Sequence, residues 1–480
     1  MPHVHPRVRA APAILLASAL LASSLGAAPR GTLAGVGPLE FDPIERLASS
    51  CQAMVVQAVG RDRAEAFRKT GIQPWLEAMI RQNRGMEVLS RTVTYATEDA
   101  RGRSRTCSGR VFFPTNPVRS WQAGRAPLVF YQPDVQTRRD QVPSRNRGAE
   151  ALVGALGAQL FGFAVAMPDG DGMGEDGSGP NHAFYHAATG SRCLLDMVRA
   201  VEWVEARQVF DATGYVWDGT TYLAGYGEGG FMAAAALRAL AIDPQRTYGA
   251  LQVDGAACMA GPLDFSATLL RTLKDGTAPA GRPFVPACFL AAWQDLFPAD
   301  LSLRAGINPL LLRSHPTRDG NPDGLTVVDW LAGRFTPEEI DLRIRARLTG
   351  NPRQPVTARS VLNDAWVKAN LDPAGTRVVR DLKANDLDGD WKPPCPVLLG
   401  QVPGDPWAGP QTSRDLLEAW KRKGFEPIRA ELAPPDPALG PLVAMPLAFL
   451  WIRSGCDPAF RSRAPLLLDQ PNRPEPDWAE

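Results

Sequence analysis

Imidazole is scarce in this sequence, and its distribution excludes more than its number does. Among 480 residues the only histidines are His3, His5, His182, His186 and His315, so no position after 315 offers an imidazole base. Fifty-two Lys and Arg against 51 Asp and Glu leave a net charge of +1. That balance gives no overall field for holding nucleic acid or an anionic membrane surface, and small or neutral partners are expected instead. The seven cysteines (Cys51, Cys107, Cys193, Cys258, Cys288, Cys395 and Cys456) contain no C-x-x-C pair. Zinc and dithiol redox motifs therefore have no support, and no cofactor is implied. Internal repeats are lacking, and beyond the N-terminal stretch no apolar run is long enough to cross a bilayer.

That N-terminal stretch is the first positive signal. MPHVHPRVRA carries Arg7 and Arg9 and leads into AAPAILLASALLASSLGAA, an apolar run ending in small residues. It reads as a secretory signal peptide over 1–28, cleaved between Gly26 and Ala28. An uncleaved membrane anchor is the competing reading, but Pro12 and several serines make the run short for a span of about 20 apolar residues. The mature protein is expected to be secreted or periplasmic, with no membrane span after leader cleavage. Disulfides are possible in such a compartment, and an odd cysteine count leaves at least one thiol unpaired within the chain.

A content of 45% hydrophobic residues suits a large core. Residues 36–90 read mainly as helix, followed by VTYATED and SGRVFFP as a hairpin, which gives an N-terminal segment over 36–115. Strand and helix then alternate: strand 127–132, helix 148–160, strand 163–168, helix 191–207, strand 221–226, helix, strand 248–255. The rhythm breaks over 262–385, where prolines and aromatics interrupt irregular helices. It resumes with strand 395–401, helix 411–424, strand PIRAEL and helix 441–453. These features imply a mostly parallel sheet with helices on both faces and an inserted cap at 262–385, all within one domain over 36–461. The tail 462–480, rich in Pro, Asp and Glu, is expected to be flexible.

The most informative stretch is YLAGYGEGGFMAAAALRAL, from Tyr222 to Leu240. In a G-x-S-x-G turn a strand meets a helix so tightly that the flanks must be glycine, and the serine at the apex is held in a strained conformation. Gly225 and Gly229 supply the flanks here, but the apex is Gly227, followed by Glu228 and Gly230. Glycine accepts a positive φ without steric cost, so the turn is expected to survive without its hydroxyl.

Several further patterns occur in order around this turn. MPDGDGMGEDGSGPNHAFY supplies Asp169, Gly172, Gly174, His182 and Tyr185. LLDMVRAVEWV supplies Asp196, Arg199 and Ala200, and MAGPLDFSATL and QVPGDPWAGPQTS follow. From about Val93 to Cys456 the chain resembles the secreted bacterial α/β-hydrolases akin to secretory lipases and esterases. The resemblance implies an α/β-hydrolase fold and ester hydrolysis by serine, histidine and acid. It places Gly227 at the nucleophile position and Asp405 at the retained acid position. The histidine belongs in APPDPALGPLVAMPLAFLWI, which has none. Where such hydrolases carry His-Gly near the oxyanion hole, this chain has Pro133 and Asp134, and an aspartate there would repel a developing oxyanion. Loss of serine or histidine alone costs about a millionfold in turnover. The expectation is a lipase-like or esterase-like pseudoenzyme that binds a small-molecule or ester-like ligand, or acts as a scaffold. The alternative is an active carboxylic-ester hydrolase with a non-standard constellation.

Other groups have two readings each. Glu228 could be a replacement nucleophile or acid paired with Asp134 or Asp405, or an ordinary helix-start residue favoured by the dipole. Asp405 could be a turn residue in PGDPWAGP. Asp169, His182, Asp196 and Arg199 could form a polar cluster near the sheet's carboxyl edge, either structural or ligand-binding. Asp319, Asn321 and Asp323 match the first spacings of a calcium loop, but position twelve is Trp330 rather than Glu. A turn in the cap is the simpler reading, and no metal site is expected.

Overall fold

Two central strands and the turns that follow them set the position of everything functional in the computed structural model. It describes residues 28–59, 77–78, 80–115, 125–145, 149–174, 182–202, 207–243, 248, 251–274, 282–297, 301–314, 325–372, 375–405, 407–432 and 440–456. Residues 1–27, nearly all of the stretch expected to be a signal peptide over 1–28, together with His315, the Asp319, Asn321 and Asp323 segment and the tail from 462, lie outside the described residues.

The strands form one sheet: β1 (Leu33–Val36), β2 (Glu40–Pro43), β3 (Glu87–Glu98), β4 (Ser104–Pro114), β5 (Arg125–Gln132), β6 (Ala164–Pro168), β7 (Val216–Tyr226), β8 (Gly255–Met259), β9 (Val397–Gln401) and β10 (Ile428–Glu431). Their order is β1-β3-β4-β6-β5-β7-β8-β9-β10, with β2 paired to β3. Strands β5 to β10 pair in parallel, whereas β3 and β4 are antiparallel to each other and β4 is antiparallel to β6. Parallel strands must be covered on both faces, and their sequences show it: β5, β6, β8 and β9 are almost wholly buried. Helix Ala149–Phe161 packs against Gly440–Cys456, and helix Ala187–Glu202 packs against Glu228–Ile242.

Two sequence readings need correction. Segment 36–90 contributes helix Ile44–Val59, but Glu40–Pro43 is a strand added to β3, and β1 precedes it. Four residues, EFDP, give too little periodic signal to read, and pairing with the edge of β3 opposite β4 makes them a strand. The strand read at 248–255 is instead Gly255–Met259, with loop at 251–254. The sequence GAACM has no β-branched residue, so the alternation of Leu251 and Val253 drew the assignment too early.

Between β8 and β9 the described chain holds short helices, among them Phe265–Lys274, Phe284–Leu296, Pro337–Thr349 and Arg377–Asn385. A stack of Phe231, Tyr185, Phe265 and Trp293 runs from the helix after β7 into this region, with ring centroids 5.5, 4.8 and 6.4 Å apart in turn.

The chain visits β6 on one side of β5 and then β7 on the other, so the carboxyl ends of β5 and β7 flank a point where the winding reverses. Gln132 lies opposite Gly225, which brings the turns after both strands together. The approach is close: a Cβ on Gly229 would stand 1.9 Å from the Gln132 carbonyl oxygen, and one on Gly225 would stand 2.1 Å from the Gly229 carbonyl oxygen. Both obstacles are backbone. Gly229→Ala is therefore expected to lower unfolding stability by about 2 kcal/mol or more, measured by urea denaturation. A variant as stable as the parent would contradict this packing.

Candidate functional site

At the apex of the turn, Gly227 has φ 58° and ψ −118°, the sparsely populated backbone conformation that such an elbow imposes. Its N–H donates to the Met259 carbonyl at 2.9 Å, which fixes the turn to β8. With no Cβ at 227, another side chain fills the place. A Cβ built there would lie 2.1 Å from Asp134 Oδ1 and 2.4 Å from Asp134 Cγ.

Asp134 stands two residues beyond β5, and its carboxylate is held at both ends. Oδ1 accepts the Val135 N–H at 2.8 Å and the Glu228 N–H at 2.9 Å. One donor follows the β5 turn and the other follows the elbow apex, the two places from which this kind of turn draws its oxyanion-binding amides. Oδ2 lies 3.2 Å from Nη1 of Arg282, just ahead of helix Phe284–Leu296. Burial disfavours the Arg282 charge, but the combined attraction of Asp134, Tyr185, Tyr226 and Asp405 outweighs it and holds the guanidinium above its ordinary pKa. Behind the loop, the Asp134 N–H approaches Glu150 Oε1 at 3.4 Å, and Glu150 Oε2 accepts the Tyr131 hydroxyl. Burial pushes the Glu150 pKa up to about 8, so this acid is mainly protonated at neutral pH.

Glu228 turns away from the space over Gly227. Its Oε2 lies 2.7 Å from His182 Nε2, and its Oε1 accepts the Tyr185 N–H at 2.6 Å. Tyr185 has φ 47°, a left-handed conformation costly for a bulky residue, and its carbonyl is held by Asn385 Nδ2 at 2.8 Å. Glu228 thus fastens the 182–185 turn to the head of the elbow helix. Burial opposes the His182 charge, but attraction to Glu228 and the hydrogen bond between them raise its pKa above the ordinary 6.5.

Of the remaining residues singled out in the sequence, Asp405 lies within electrostatic reach of Arg282, while the others have partners of their own. Asp405 Oδ1 accepts the Trp407 and Ala408 N–H groups at 2.7 and 2.9 Å, the bonding of a turn aspartate. Asp169 bonds to Ser108 Oγ and to the Ser144 N–H, at 2.5 and 2.8 Å. Asp196 accepts two bonds from Arg30, each 3.1 Å, and one from Thr97 Oγ1 at 2.7 Å. Asp169, Asp196 and His182 thus answer to different partners and do not share one hydrogen-bond network. Arg199 packs beside Gly31, and Pro133 leads from β5 into the Asp134 turn. His186 Nδ1 lies 2.8 Å from Thr189 Oγ1, but Thr189 is buried in the first turn of its helix and is closed to any substrate. Among the described residues no group of three or more His, Cys, Asp or Glu could hold a metal ion. Cys107, Cys193, Cys258, Cys288 and Cys395 are buried free thiols.

Next to this centre a cleft is lined by Gln136, Thr137, His182, Phe184, Cys288 and Leu331, with a free volume of about 30 Å³. That is room for roughly two water molecules. Arg282, Glu150 and Asn385 carry no sequence motif. Arg282 lies 148 residues from Asp134 along the chain, and only the three-dimensional fold brings it to the site.

Sheet order, elbow geometry and two-sided helical cover define an α/β-hydrolase fold. Solved structures share it. LipA, the rice cell wall degrading esterase from Xanthomonas oryzae in a ligand-bound form, superposes with a TM-score of 0.63 at 18% identity, covering 89% of this chain and 98% of that one. A Legionella pneumophila protein assigned as a hydrolase gives 0.61 at 18%, covering 92% and 100%. Candida antarctica lipase A in its closed state gives 0.51 at 15%, covering 90% and 83%. No family model and no curated protein matches the sequence.

The His182–Glu228 pair has a defined pH signature. A folded pKa raised above the unfolded value makes the pair's contribution to stability complete below about pH 6.5, and that contribution is lost as pH rises through the folded value. Glu228→Gln removes the strongest attraction opposing burial and leaves only the weaker pull of Asp171, so the His182 titration measured by imidazole NMR is expected to fall. An unchanged titration would remove Glu228 as the cause.

Proposed function

We propose that this protein is a lipase-like or esterase-like member of its fold class that has given up ester hydrolysis and acts by binding or scaffolding. The observation that carries the proposal is the Asp134 carboxylate standing over Gly227, where a nucleophile's side chain would project. No hydroxyl is available at the apex, and the amides that would stabilise a tetrahedral intermediate already hold a negative oxygen. The segment after β10 that would carry a triad histidine contains none. The carboxylates that could replace these parts have other employment: Glu228 holds His182 and Tyr185, and Asp405 closes its turn. The similarity to LipA and to lipase A supports an ester-like ligand class, and the N-terminal leader supports export to the periplasm or beyond it.

A serine-reactive fluorophosphonate and a panel of acyl esters test the proposal. The folded protein is expected to remain unlabelled and to show no saturable turnover, while an ester-like ligand binds saturably. Specific labelling, or turnover that follows enzyme concentration, would sink it. Gly227→Ser alone is expected to give at most a trace of activity, since the new side chain meets Asp134 and has no imidazole partner. Recovery of rapid turnover from that single change would show that another base serves.

A further inference from the structure

Three donors of separate origin converge on one carboxylate. The Val135 N–H comes from the turn after β5, the Glu228 N–H from the head of a 15-residue helix, and the Arg282 guanidinium from the region inserted between β8 and β9. In a working elbow the two amides receive the oxygen that becomes negative in the transition state. Here a side chain of the same chain supplies that oxygen. Because the amide contacts are 2.8 and 2.9 Å, the arrangement is that of a charge-assisted anion site already filled.

Arg282 also ties this centre to the cap. Two residues later Phe284 begins helix Phe284–Leu296, and its N–H donates to Asp341 Oδ1 at 2.6 Å on helix Pro337–Thr349. The Asp134–Arg282 ion pair therefore links the β5 turn and the elbow to two cap helices. The neighbouring cleft, lined by Gln136, His182 and Phe184 among others, lies beside this link.

We infer that Asp134 is a tethered plug: its carboxylate occupies an intact oxyanion hole and, through Arg282, fastens the cap over the elbow. The site opens when the plug is displaced, and the group that can take its place is the carboxylate, or an oxyanion of similar size, of an incoming ligand. This deepens the non-hydrolytic reading, because plug and elbow belong to one site. It does not depend on the absence of turnover, since the hole would bind an anion in either case.

The physical basis of the test is that removing the carboxylate from this half-buried pair takes away the guanidinium's bonded counter-charge and leaves two amides without an acceptor. Asp134→Ala in the full chain is expected to melt below the parent. Sodium acetate is expected to raise that melting temperature saturably against sodium chloride at equal pH and ionic strength, with no such effect on the parent protein. Adding Arg282→Gln to Asp134→Ala should weaken the acetate effect roughly tenfold or more. Acetate acting no better than chloride on Asp134→Ala overturns the plug.

If the alanine variant does not fold, Asp134→Asn keeps an oxygen for both amides and removes only the charge. Hydrogen exchange in Phe284–Leu296 is then expected to quicken while Glu228–Ile242 keeps its protection. Unchanged exchange in the cap helix, or equal loss in both helices, overturns the fastening. Ester turnover by the parent protein would strike the proposed function and leave these outcomes as they stand.

Discussion

A single carboxylate, that of Asp134, is where the sheet, the elbow and the cap meet. One oxygen lies between two backbone amides from different turns, and the other faces a guanidinium from the inserted region. These interactions are electrostatic in kind, but steric constraint makes them possible. The oxygen sits 2.1 Å from where a side chain at position 227 would begin, so a β-carbon there would require the carboxylate to shift. Glycine at the apex leaves the aspartate after β5 the room it occupies.

The surroundings hold this arrangement from several sides. Glu150, its pKa raised by burial, lies behind the Asp134 peptide as a mainly neutral acid, so it adds little negative charge next to the plug at neutral pH. Glu228, the residue after the apex, is drawn the other way, toward His182 and the left-handed Tyr185. From Tyr185 an aromatic stack leads through Phe265 to Trp293, so the elbow helix is joined to the cap by packing as well as by charge. Burial of this kind favours one discrete arrangement over a graded set, as close-packed interiors generally do.

Much of the scaffold was legible in the sequence because it follows from local patterns. Buried parallel strands write themselves as apolar runs such as PLVFYQ, and the glycines of GYGEGG mark a turn whose flanks admit no side chain. Small-residue strands were less legible: GAACM carries no strand signal of its own and is shaped by its neighbours β7 and β9. At the site, Gly227 and Asp134 stood out because they break a known pattern. The sequence predicted that an aspartate near the oxyanion hole would oppose a developing negative charge; in the structure its carboxylate accepts the Val135 and Glu228 N–H groups. Arg282 was invisible, since a lone arginine 148 residues away acquires meaning only when the chain folds. Glu228, Asp169 and Asp196 show the reverse, with eye-catching polar residues committed to internal hydrogen bonds.

The crowding at position 227 also makes two distant residues interdependent under substitution. While Asp134 keeps its carboxylate over the apex, any side chain arising at 227 must push it aside. Losing Asp134 takes from Arg282 its directly bonded counter-charge. Either substitution alone thus disturbs packing or charge at the elbow, although the glycine-lined turn itself is intact. The elbow behaves as a locked joint: glycine flanks, a backbone bond to β8 and a clamped carboxylate keep its shape.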